Sequence, residues 1–156
     1  MKIPETTQYE LERKKPMPSK LHSIVQSNLI VQITIKYADK YRLFSELSLS
    51  LNGWDSVPDI AIFTKSVIDF NHDETQMTES PLCAIEILSP TQNIQDLVYK
   101  AEKYFQVGVK SCWLVIPILK TIYVFKDRND YQIYKSEDNL IDEKLNISLS
   151  LEEVFK

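Results

Sequence analysis

The sequence predicts one α/β domain spanning residues 1–156, with an α-β-β-β-α-β core, a mixed central sheet flanked by helices, and extra C-terminal strands. Three patterns carry this expectation. Apolar residues recur at helical i, i+3/i+4 spacing from Leu21 onward. They alternate over residues 43–51 ahead of an Asn52-Gly53 pair, and they run almost unbroken through residues 82–88. A chain of 156 residues, 44% hydrophobic and 26% charged, can bury a sizeable core and has the balance of a soluble globular protein. No apolar run approaches the ~20 residues that span a bilayer, and residues 1–15 hold no apolar signal segment. A cytoplasmic protein without a membrane partner is expected.

The elements follow in order. Residues 1–15 are polar and end in Arg13-Lys14-Lys15. Pro16-Met17-Pro18-Ser19 reads as a helix entry with Ser19 as N-cap, and Ile24, Val25, Leu29, Ile33 and Tyr37 carry the helix to about residues 36–39. Leu43, Leu47, Leu49 and Leu51 then mark a strand with Glu46, Ser48 and Ser50 on its other face. Asn52-Gly53 predicts a hairpin whose return strand covers residues 57–63. Residues 64–80 are acidic and aperiodic, a surface loop. Leu82-Cys83-Ala84-Ile85-Glu86-Ile87-Leu88 reads as a buried central strand. A second helix is expected over residues 93–107, closed by Gly108, and another buried strand over residues 112–116. Residues 121–126 and 131–135 form a predicted hairpin, and Ser150-x-x-Glu153 a capping box for a short last helix.

Scarcity narrows the chemistry. Two glycines, Gly53 and Gly108, stand far apart, so neither G-x-G-x-x-G nor a P-loop is present. Two cysteines and two histidines cannot build the Cys-rich zinc sites, and there is no H-E-x-x-H. Cys83 and Cys112 lie in apolar runs and read as reduced core residues. His22 and His72 stand in no nucleophile motif such as G-x-S-x-G. Carboxylate and lysine chemistry remains. A net charge of −4 runs against the basic field common in nucleic-acid binders, which a bound cation and a localised basic face can offset.

Glu86 stands among apolar neighbours, and burying a lone carboxylate costs several kcal/mol unless it is paired or binds metal. Asp59, after Pro58, opens a strand that can pair beside that of Glu86, which brings two oxygen ligands for Mg²⁺ or Mn²⁺ to one face. In the E-x-K pattern a lysine follows two residues after the glutamate, but that position is Leu88. Asp96, Lys100 and Tyr104 share a helix face at i, i+4, i+8, so Lys100 can reach over the carboxylates in its place. The plainer alternatives are a structural partner for Glu86 and a solvated Asp96–Lys100 pair worth only ~0.3–0.5 kcal/mol.

Taken as a set, several segments resemble the Uma-two family of restriction-endonuclease-like proteins, a branch of the PD-(D/E)XK nuclease superfamily. They are Pro16-Met17-Pro18-Ser19-x-x-His22, Val57-Pro58-Asp59, Glu86-Ile87-Leu88-Ser89-Pro90, Asp96-x-x-x-Lys100-x-x-x-Tyr104, Gly108-Val109 and Trp113-Leu114-Val115. The resemblance implies a restriction-endonuclease-like fold and a Mg²⁺- or Mn²⁺-dependent nuclease. Asp59 and Glu86 are then metal ligands, and Lys100 is a catalytic lysine moved from strand to helix. It implies a glutamate before the first helix, a place that either Glu10 or Glu12 fills, and a homodimer. Two departures stand out: the family often has glycine where this chain reads Glu12-Arg13-Lys14-Lys15, and Asp-Pro where it reads Ile116-Pro117. The implied reaction is metal-assisted hydrolysis of nucleic acid, DNA in the first instance, through backbone contacts rather than base reading.

Arg13, Lys14, Lys15 and Lys20 are candidate phosphate contacts or simply a solvated charged run. His22 is either a supporting residue or a capping histidine. Asp69, Asn71, His72, Asp73 and Glu74 lack ligand spacing and receive no metal role. Trp54 is either a turn aromatic able to stack on a base or a cover for a sheet edge, and Trp113 is core. The competing expectation is a catalytically silent nucleic-acid-binding or assembly module on the same fold, with Glu86 merely paired to Lys100.

Overall fold

The computed structural model describes residue 6, residues 8–13 and residues 15–156, without the side chains of residues 9, 12 and 13. Lys14 and the side chains of Glu12 and Arg13 therefore lie outside the described residues. The elements are α1 (Gln8–Arg13), α2 (Lys20–Tyr37), β1 (Tyr41–Ser45), β2 (Leu49–Leu51), β3 (Trp54–Ser56), β4 (Ile60–Thr64), β5 (Cys83–Ile87), α3 (Ile94–Gln106), β6 (Ser111–Ile116), β7 (Thr121–Asp127), β8 (Asp130–Lys135), β9 (Asn139–Asp142), β10 (Ile147–Ser150) and α4 (Leu151–Val154). A 3₁₀ turn at Pro117–Leu119 joins β6 to β7.

Six strands make the central sheet in the order β1-β4-β5-β6-β7-β8. Only β5 and β6 run parallel, because α3 crosses over between them; the other pairs are antiparallel. The sheet is thus mixed, as expected, and α2-β1-β4-β5-α3-β6 is the α-β-β-β-α-β core. Strand alternation divides the apolar side chains into two layers. Ile60, Ile62, Ile85, Ile87, Trp113 and Val115 meet Val25, Leu29 and Ile33 of α2. Ala61, Phe63, Ala84, Cys112 and Leu114 meet Leu97, Ala101 and Tyr104 of α3. Cys83 and Cys112 are free and buried. No helix among the described residues is long and apolar enough to cross a membrane.

Four expectations need correction. The single strand expected over residues 43–51 breaks at Glu46, whose φ of 56° turns the chain out of the sheet. As a result β1 pairs with β4, while β2 and β3 form a separate ribbon around Asn52-Gly53. Asn52 and Gly53 both have positive φ, as a tight hairpin turn requires. The helix α2 buries His22, Val25, Leu29 and Ile33 but leaves Leu21 and Ile24 largely exposed. Ser150 caps α4 by position without a side-chain hydrogen bond, so the capping box does not form. Finally, the expected order lacks α1 and the β9–β10 hairpin, although Ile147-Ser148-Leu149-Ser150 alternates apolar and polar residues and buries the apolar ones.

Candidate active site

The register of β4 against β5 pairs Ile60 with Ile85 and Ala61 with Ala84. Asp59 stands one residue before β4 and so comes next to Glu86 in β5, both lining one small cavity. Each is only 1% exposed. Two carboxylates thus meet at the end of a buried strand pair, where water screens them poorly.

Asp59 is saturated with donors. One carboxylate oxygen accepts the Ile87 N–H at 2.7 Å. The other accepts from the Lys15 ammonium at 2.7 Å and lies 3.2 Å from His22 Nε2. Its carbonyl accepts from Gln26 Nε2 at 2.9 Å and from the Glu46 N–H at 3.2 Å. Ser19 puts His22 there: its hydroxyl accepts the His22 N–H at 3.2 Å and starts α2 so that His22 faces the sheet. Among the described residues, His22 Nδ1 has no hydrogen-bond partner.

Glu86 is held from α3. Asn93 caps that helix through the Gln95 N–H, which sets Asp96, Lys100 and Tyr104 along one face. Tyr104, buried, donates to one Glu86 oxygen at 2.8 Å, and the Lys100 ammonium stands 3.7 Å from the other. Because the Tyr104 proton goes to Glu86, Ser56, at 2.6 Å from the same hydroxyl, donates to it. Asp96 is exposed, at the rim of the cleft described below.

The two acids respond oppositely to burial. For Asp59 burial works upward, but the His22 hydrogen bond and the Lys15 charge outweigh it, and its pKa falls to about 2. For Glu86 burial wins: Lys100 pulls the other way, the Asp59 charge adds to the burial, and the carboxyl is raised above its ordinary value. Lys15 holds its proton more tightly than a free lysine, since Asp59, Glu86 and Glu46 together overcome the cost of its own burial.

Lys15 and Glu46 were not expected in this cluster. Lys15, expected as a phosphate contact or as part of a solvated run, has a side chain only 10% exposed that bridges Asp59 to Glu46, the latter at 3.1 Å. Glu46 was placed on a strand's outer face; the left-handed turn at this residue makes it part of the cluster instead. Ser56 and Gln26 were not singled out. Of the remaining candidates, Glu10 is half-buried in α1 and Lys20 is exposed at the start of α2. Trp54 is partly covered by an edge-on contact with Tyr104, ring centres 4.9 Å apart. His72 pairs with Asp69 on the surface, away from the carboxylates.

A cavity of about 10 Å³ lies among Lys15, His22, Glu46, Asp59, Glu86 and Gln92, room for about one water. Next to it opens a cleft of about 480 Å³, and Lys15 lines both. The donor chemistry suits a hard divalent cation, which takes carboxylate oxygens. A positive charge is already accommodated there, since the Lys15 ammonium stands among Asp59, Glu46 and the field of Glu86. Among the described residues, no group of three or more His, Cys, Asp or Glu side chains is arranged to hold a metal, so solvent or substrate oxygens have to complete a coordination shell.

Comparison with known proteins agrees with this architecture. The family model for Uma2, described as "Putative restriction endonuclease", matches residues 5–155. The fold is similar to the crystal structure of a putative nuclease belonging to DUF820 from Anabaena variabilis, with a TM-score of 0.77 and 25% identity over 90% of this chain and 83% of that one. No curated protein matches the chain.

Proposed function

The chain belongs to the Uma2 family, and on that premise we propose that it is a Mg²⁺- or Mn²⁺-dependent endonuclease of one domain that hydrolyses phosphodiester bonds of DNA. The observation that carries this reading is the pairing of Asp59 and Glu86, two fully buried carboxylates on adjacent strands, with the Lys100 ammonium over one of them and an open cleft alongside. Asp59 and Glu86 hold the cation, with Glu46 in reach of the same place. A divalent cation bound there supplies positive charge to the scissile phosphate and makes the attacking water more acidic. Lys100, one-quarter exposed and facing the cleft, orients that water or balances the charge that builds on the phosphate.

Tyr104 and Ser56 fix the Glu86 carboxylate, while His22 and the Ile87 N–H fix that of Asp59. The two acids differ in proton affinity before any cation binds, Asp59 low and Glu86 raised, and a cation held between them would favour the ionised form of both. Lys20, with Arg13 and Lys14, contacts flanking phosphates in this reading, and Glu10 or Glu12 supports the site. A homodimer belongs to it too, for which exposed Leu21, Ile24, Val31 and Ile35 on α2 offer apolar surface. So does a cytoplasmic location.

The second reading is a silent binding or assembly module. It draws on the net charge of −4 and on Lys15 and Lys100 already pairing with the carboxylates. Titration calorimetry with Mn²⁺, followed by a plasmid and oligonucleotide cleavage assay, separates the two. An endonuclease binds the metal and cuts; a silent module does neither.

A further inference from the structure

The cleft beside the carboxylates is larger than a phosphate needs. Its volume of about 480 Å³ falls in the range of small-molecule sites. Its lining includes Lys15 and Lys100, the two ammonium groups paired with Asp59 and Glu86. Its walls carry two aromatic side chains, Trp54 and Tyr99, with Gln76 and Ser48 between polar neighbours. Trp54 is packed edge-on against Tyr104, the residue that holds Glu86, so the aromatic wall is joined rigidly to the reacting centre. Tyr99 is 57% exposed, with the Lys103 ammonium 5.6 Å from its ring centre.

We propose that this cleft seats one unpaired nucleobase, stacked on Trp54 and Tyr99, beside the scissile phosphate, so that the protein acts on single-stranded or unpaired DNA. This rests on the nuclease reading for the phosphate, but the base site stands on its own geometry. Aromatic faces bind any base through its π-face, without reading sequence. A paired base in a duplex has that face covered by its neighbours and cannot offer it. The carboxylates of Asp55 and Asp96, also on the cleft, repel phosphate and accept hydrogen bonds from exocyclic amino groups. Charge therefore favours the phosphate at the lysines and leaves the aromatics to the base.

The chain's two tryptophans make a direct test, since Trp54 lines the cleft and Trp113 is fully buried in the core. The experiment titrates the metal-free protein, in chelator, with a short single-stranded DNA of mixed sequence and with a blunt duplex of the same sequence, following tryptophan fluorescence. Saturable quenching is expected with the single strand and not with the duplex. Tyr99→Ala, at an exposed position, weakens that binding about tenfold, and Trp54→Phe removes the signal while binding persists by anisotropy. Absence of quenching by the single strand, equal quenching by the duplex, or an unaltered affinity in Tyr99→Ala overturns the base site. Cleavage assays on the same DNAs keep the two readings apart. Quenching without Mn²⁺-dependent cleavage upholds the base site and removes the nuclease reading. Duplex cleavage with Trp54 silent toward single strands overturns the base site and leaves the nuclease.

Discussion

Asp142 and Glu86 are both buried acids beside strand β6, but their partners differ in kind. Asp142 receives three neutral donors: the Ser111 hydroxyl, Trp113 Nε1 at 2.8 Å and the Leu145 N–H at 3.1 Å. It ties β9 to β6 in the layer under α2. Glu86 receives one neutral donor, Tyr104, and otherwise faces an ammonium at 3.7 Å and a second carboxylate across the strand pair. Asp142 has neighbours that satisfy it fully, whereas Glu86 has neighbours that leave it uncomfortable. An acid kept under-satisfied beside a water-sized cavity and a cleft is what chemistry requires and what stability alone does not select.

Breaking Asp142 gives the largest expected effect on stability. Asp142→Ala leaves three donors without an acceptor, each costing about 1–3 kcal/mol, so urea unfolding is expected to show a loss of about 3 kcal/mol or more. A loss under about 1 kcal/mol would erase the structural half of the comparison.

Lys15→Met comes next. Removing one partner of a buried pair leaves the Asp59 carboxylate with the Ile87 N–H and His22 but without its ammonium, at a cost of about 3 kcal/mol without metal. Because the variant also vacates the place of a positive charge, Mn²⁺ is expected to raise its melting temperature by more than that of the wild type. Equal shifts in the two proteins would mean that Lys15 and the metal do not share a place.

The pH response of Glu86→Gln sharpens the contrast with a smaller effect. A raised native pKa stabilises the fold below the unfolded value, near 4.3, and that contribution is lost as pH rises. The glutamine variant is therefore expected to be more stable than wild type at pH 7 and to converge with it below about pH 4. Asp59 runs the other way: lowered to about 2, it stabilises above its unfolded pKa and ceases to do so as pH falls through 2. Melting curves from pH 2 to pH 8 check both signs, and a glutamine variant less stable at pH 7 contradicts the Glu86 account.

The parts of the site legible in the sequence are those with local signals. Glu86 stands out because its strand neighbours are apolar, and Lys100 and Tyr104 follow from i, i+4 spacing along one helix. Asp59 follows from the pairing of its strand beside that of Glu86, and the family resemblance adds to that link. Lys15 and Glu46 had no such signal. Lys15 meets Asp59 across 44 residues of chain, and Glu46 reaches the cluster only because a non-glycine residue adopts a left-handed turn in an alternating apolar segment. The same turn hid the division of the first hairpin into two sheets. The β9–β10 hairpin carried a weaker signal: Ile147-Ser148-Leu149-Ser150 alternates and buries its apolar residues, but the strands are only four residues long, and Leu140-Ile141 breaks the alternation in β9.

The most direct test of the account is Mn²⁺-dependent cleavage of single- and double-stranded DNA by wild type, Glu86→Gln and Lys100→Met, each checked for folding. The account predicts cleavage by the wild type and a loss of about 10²-fold or more in both variants, with neither melting temperature lowered. Undiminished cleavage by either folded variant, or a wild type that binds no Mn²⁺ and cuts nothing, contradicts it.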